Sequence, residues 1–144
     1  MAEKEKGIIV ITAAGNFGKN IDIENNEYFP ASYKLSNIIS VANLNKKSQL
    51  HKTSNFGKGN TDLATYGTSV TSWLPNKKLG ELSGTSQATA IITGFASLII
   101  GLNEEKIHYT DLKNFLFKFV EKSSSLQENI KSKGVFSSTK FINF

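Results

Sequence analysis

The stretch Leu82-Ser83-Gly84-Thr85-Ser86-Gln87-Ala88-Thr89-Ala90 is a small-residue turn that runs straight into an apolar segment of helix length ending near Leu102. A serine in the first turn of such a helix projects from the scaffold. The unpaired backbone N–H groups around it favour negative charge on a reacting oxygen. Ser86 is therefore the candidate nucleophile. Gly84 admits a substrate backbone at close range, and the β-branched Thr85 stiffens the turn. Beyond Ser86 come Ala88, Ile91, Ile92, Phe95, Ala96, Leu98, Ile99 and Ile100, apolar almost all round. That pattern predicts a helix in the middle of the protein, which would hold Ser86 rigidly.

Upstream lies a second motif, Thr12-Ala13-Ala14-Gly15-Asn16, preceded by Ile8-Ile9-Val10-Ile11. A continuous β-branched run of this kind predicts a strand covered on both faces, internal to a parallel sheet. Between the two motifs stand Phe29-Pro30-Ala31-Ser32-Tyr33, Asn37-Ile38-Ile39-Ser40-Val41-Ala42, Ser54-Asn55-Phe56-Gly57 and Asp62-Leu63-Ala64. In these motifs and in this order the sequence resembles the subtilisin-like serine peptidases, over nearly the whole chain but only over the C-terminal half of their catalytic domain.

The resemblance implies an α/β, partial subtilisin-like fold with residues 1–144 as one unit. It would have a parallel sheet of few strands, a central buried helix starting at the nucleophile and a second packing helix. It implies that the Asn16 side chain and the Ser86 backbone N–H form an oxyanion hole. Ala13, Ala14 and Gly15 would line the primary specificity pocket, with Gly84 and Thr85 beside the substrate, a peptide or protein. The Phe29–Pro30 bond would be cis, and calcium is a cofactor that the resemblance makes possible.

The remaining residues read as scaffold. Gly, Asn, Asp and Glu dominate from Gly15 to Tyr28, a surface loop whose Asp22, Glu24 and Glu27 suit solvation better than cation binding. Ile38-Ile39-Ser40-Val41-Ala42 and Leu63-Ala64-Thr65 read as short strands, and Val70-Thr71-Ser72-Trp73-Leu74, closed by Pro75-Asn76, as the start of a hairpin. Thr110 is the expected N-cap of a second helix with a one-sided stripe of Leu112, Phe115, Leu116, Phe119 and Val120. A polar tail and a short closing segment, Gly134-Val135-Phe136 through Phe141-Ile142, follow.

A composition of 39% hydrophobic and 20% charged residues suits one globular core. The net charge of +5 is spread over scattered lysine pairs such as Lys46-Lys47 and Lys77-Lys78, without an aromatic-interleaved stripe, which argues against nucleic acid as a partner. Without cysteine there are no disulfides or thiolate metal sites. No signal peptide is visible, so the compartment stays open. The apolar stretch 91–102 is interrupted by Thr93, Gly94 and Ser97 and is shorter than a membrane span, so no membrane is expected.

Acyl transfer by a serine needs a base within reach. Asp22, His51 and Ser86 follow the family's chain order, yet both the family's aspartate and its histidine precede the oxyanion asparagine. Neither Asp22 nor His51 does, and neither sits in a matching motif. His108 stands just ahead of the expected helix cap. The expectation is a chain without its base, inactive alone. It would be completed by an Asp- and His-bearing N-terminal half, or would self-associate through the apolar surface left bare. The alternative is a truncated pseudopeptidase that binds peptides or proteins.

Overall fold

The computed structural model describes residues 7–103 and 107–142; the charged turn expected over residues 1–6 lies outside them. Three strands, β1 (Val10–Ala13), β2 (Ile38–Leu44) and β3 (Leu63–Tyr66), form a parallel sheet in the order β1-β2-β3. Val10 pairs with Ile38 and Val41 with Leu63. β2 is buried at all seven positions because both faces of the sheet are covered. Ile39 and Val41 join one apolar cluster with Leu63, and Ala42 and Leu44 join another with Ala64, Leu126 and Ile130. The alternation of the strand thus feeds two cores at once.

The expectation for the first strand needs correction. It is shifted toward Ala13, and among the described residues it pairs only with β2, so it borders the sheet and stays half-exposed at Val10 and Ile11. A β-branched run records burial of side chains, but it does not say on which side a backbone partner sits.

α1 (Thr85–Leu102) packs across β1, β2 and β3. Ala88, Ile92, Ala96 and Ile99 fall about one turn apart and form its buried stripe. The helix is central, and part of its apolar surface is bare, as expected of this half of the domain: Leu98 and Ile100 are 53% and 50% exposed, and Leu102 is exposed as well. Length and composition alone would let α1 cross a membrane, but its stripe packs on the sheet as a core helix does. α2 (Tyr109–Lys118) adds Leu112 and Leu116 to the same core. Its N-cap is His108 and not Thr110: the His108 side chain accepts a hydrogen bond from the Thr110 N–H. An imidazole nitrogen serves there as the acceptor that a hydroxyl was expected to provide.

β4 (Val70–Leu74) and β5 (Lys78–Leu82) form the expected antiparallel hairpin, turning at Pro75–Lys77. β6 (Val120–Lys122) and β7 (Gly134–Phe136) pair near the C-terminus, and α3 (Ser138–Ile142) follows. Phe29–Pro30 is cis, as the resemblance implied.

Candidate functional site

Asn16 follows the C-terminal end of β1 and Ser86 stands in the first turn of α1, so a strand end and a helix start meet at one place. The junction is stitched by hydrogen bonds across some seventy positions of sequence. Asn16 Oδ1 accepts from the Thr85 N–H at 2.9 Å and from Thr85 Oγ1 at 3.1 Å, and the Gly15 N–H donates to Thr85 Oγ1 at 3.3 Å. Gly84 precedes α1 without a side-chain cap of its own. The side-chain oxygen that a helix N-terminus normally takes from its own N-cap comes here from Asn16.

The consequence is chemical. With Oδ1 committed to Thr85, the amide is fixed in orientation, and its Nδ2 has no partner among the described residues. Asn16 and Ser86 are both exposed, whereas Thr85 between them is fully buried. Two exposed polar side chains, Asn16 and Ser86, thus stand at the start of α1 on either side of the buried Thr85.

A second asparagine, which the sequence placed only within a family-ordered segment, builds the loop that carries Asn16. Asn55 is buried; its Oδ1 accepts from the Phe17 and Lys19 N–H groups at 3.0 and 3.1 Å, and its Nδ2 donates to the Ala14 carbonyl at 2.9 Å. Its own N–H donates to the Gly15 carbonyl at 2.8 Å. Gly15 has φ 102°, and a Cβ there would collide with Asn55 Nδ2 and the Tyr28 ring. Of the three expected pocket residues, Ala13 is half-buried, while Ala14 and Gly15 are buried against these neighbours.

On the helix side the close approach falls to Gly67, a residue not singled out from sequence. A Cβ on Gly67 would lie 2.6 Å from the Gly84 carbonyl oxygen, 2.8 Å from the Ala88 nitrogen and 2.8 Å from Asn43 Oδ1. The Gly84 N–H also donates to the Gly67 carbonyl at 2.8 Å. The turn that presents Ser86 is thus seated directly on backbone.

Neither histidine joins the serine. His51 Nδ1 pairs with Thr53 Oγ1 at 2.9 Å, and His108 Nδ1 pairs with Thr110 Oγ1 at 2.8 Å. Asp22 accepts from the Gly59 and Asn60 N–H groups at 2.7 and 2.8 Å. Asp22, His51 and Ser86 are not assembled into a triad. Among the described residues no three His, Asp or Glu side chains cluster to hold a metal ion.

The chain is 36% identical to the major intracellular serine protease of Bacillus subtilis (strain 168), a match covering 70% of this chain and 31% of that protein. It is 29% identical to subtilisin-like protease 3 of Plasmodium falciparum (isolate 3D7), covering 98% of this chain and 20% of that one. In structure it resembles the A-subunit of the AB5 toxin from E. coli, with a TM-score of 0.85 at 26% identity, covering 99% of this chain and 53% of that one. The chain thus spans about a third or less of these curated relatives and about half of the solved structure. The family model of the subtilases matches residues 1–133, and the chain belongs to the subtilase family.

Proposed function

We propose that this chain carries the nucleophile and the oxyanion-binding donors of a subtilisin-like serine endopeptidase acting on peptides or proteins. Ser86 Oγ attacks the scissile carbonyl carbon, and its proton passes to a histidine on polypeptide outside this chain, oriented by an aspartate from the same source. The carbonyl oxygen, now negative, accepts from Asn16 Nδ2 and the Ser86 N–H. The amine leaves with the proton from the histidine, and water then releases the acyl group by the same steps in reverse order. The observation that supports this reading best is the commitment of Asn16 Oδ1 to Thr85, which leaves Nδ2 as a preset donor next to an exposed serine.

The same reading makes the chain inactive by itself, since without a base a serine hydroxyl is a weak nucleophile. The test is labelling by a fluorophosphonate probe, with the 144-residue chain alone and after mixing with a subtilisin-like N-terminal half that supplies Asp and His. Labelling of Ser86 only in the mixture is expected. Rapid stoichiometric labelling of the chain alone would instead put a base within it. Peptide binding without labelling in either state would favour a pseudopeptidase that acts as a binding module.

A further inference from the structure

The hairpin of β4 and β5 carries the most exposed aromatic side chain among the described residues. Trp73 is 70% exposed and stands directly opposite Leu79, itself 63% exposed. Side chains directly opposite in an antiparallel pair share one face, so the two form a single apolar patch. Thr71 and Glu81 lie next along that face, and Lys77 and Lys78 stand at the turn end. Large apolar side chains scattered singly over a surface are ordinary, but a tryptophan paired with a leucine on a projecting ribbon marks a contact surface.

The hairpin is also clamped to the nucleophile turn. The Ser69 N–H donates to Ser83 Oγ at 2.8 Å and the Gly84 N–H to the Gly67 carbonyl at 2.8 Å, so the base of the ribbon is closed immediately before Ser86. Ser86 lies seven positions beyond Leu79, which limits their separation to about 25 Å, the reach of about seven residues of extended peptide.

We propose that Trp73 and Leu79 form a remote docking patch for the polypeptide substrate. It takes an apolar side chain of an extended segment some distance from the scissile bond, and Lys77 at the turn favours acidic residues beside it. Glu81, on the same face but toward the site, confines that acidic preference to the turn end. The inference rests on the endopeptidase reading of Ser86 and names a feature of its substrate.

Trp73 is the sole tryptophan of the chain, so its emission reports the patch without any need for catalysis. The 144-residue chain is titrated with two synthetic peptides of about twelve residues, a length set by the reach above. They are identical except that a Leu-Phe-Asp-Asp run in one is Gly-Ser-Gly-Ser in the other. A blue shift of Trp73 with the first peptide is expected, with an affinity advantage of about tenfold that Leu79→Ser reduces to about twofold. In the protease assembled with its N-terminal half, Trp73→Ser brings the kcat/KM ratio of the two peptides from about tenfold to near unity. Equal affinities, or no shift with either peptide, overturn the patch. So does a shift seen only with phosphatidylserine vesicles, or only on concentrating the chain, which would assign it to a membrane or to a second copy. A peptide-selective shift with no cleavage of either peptide by the assembled protein supports the patch and overturns the endopeptidase reading.

Discussion

Asn16 Oδ1 accepts from the Thr85 N–H at 2.9 Å, and this contact caps α1 one residue before Ser86; in the proposed mechanism the Nδ2 of the same amide is the oxyanion donor. The two duties belong to different atoms of the same side chain and are separable by substitution.

Asn16→Asp keeps an oxygen for the Thr85 N–H and puts negative charge at a helix N-terminus, so stability should hold or rise by a few tenths of a kcal/mol. The donor is lost, and kcat in the assembled protease should fall by about 10²–10³, a magnitude measured on subtilisin, a member of the same family, and borrowed from it. Asn16→Ala should lose both, with about 1 kcal/mol of stability. Denaturant titration beside steady-state kinetics separates the two; equal activity losses without a stability difference between the variants would contradict the division of labour.

Gly67→Ala should destabilise by about 1–3 kcal/mol, because the atoms that crowd the position include the Gly84 carbonyl and the Ala88 nitrogen, which are backbone and cannot rotate away. The displaced turn should also slow fluorophosphonate labelling of Ser86 in the assembled protease. Wild-type labelling together with wild-type stability would mean that the turn tolerates the shift.

Asp62, on the approach to β3, is buried and receives the Lys113 ammonium at 2.9 Å and the Ser40 N–H at 3.0 Å, with the half-exposed Lys131 at 3.5 Å. Removing one partner of a buried pair strands the other, so Asp62→Asn should cost about 3 kcal/mol, near the lower end for such pairs because Lys113 keeps some exposure. Lys131→Met should cost less than about 1 kcal/mol, as surface ion pairs do. Chemical denaturation of the two variants checks the order; the reverse ranking would place the electrostatic anchor at Lys131.

The outer face of α1, with Leu98, Ile100 and Leu102 exposed, and the unpaired side of β1 should drive association. Light scattering of the chain alone should give a mass above the 15.8 kDa of one copy, and mixing with a subtilisin-like N-terminal half should convert it to a one-to-one complex. A stable monomer that ignores that half would remove this expectation.

Local chemistry made much of the protein legible in advance. The short apolar strand of β2, the small-residue turn before Ser86, the Leu112 and Leu116 stripe of α2 and the Pro75-Asn76 turn each state their structure through neighbours within a few residues, and the order of motifs points to the family. What the chain alone could not state is which residues meet across long separations. The Asn16–Thr85 contact, the Asn55 scaffold of the Gly15 loop and the tight seat of Gly67 under Gly84 join segments tens of positions apart. A helix cap supplied by a distant strand end leaves no periodic trace, and an asparagine or a glycine reads locally as a turn residue whatever it touches. Side-chain pattern records how apolar a segment is, whereas the sheet and its packing decide which of its faces is covered.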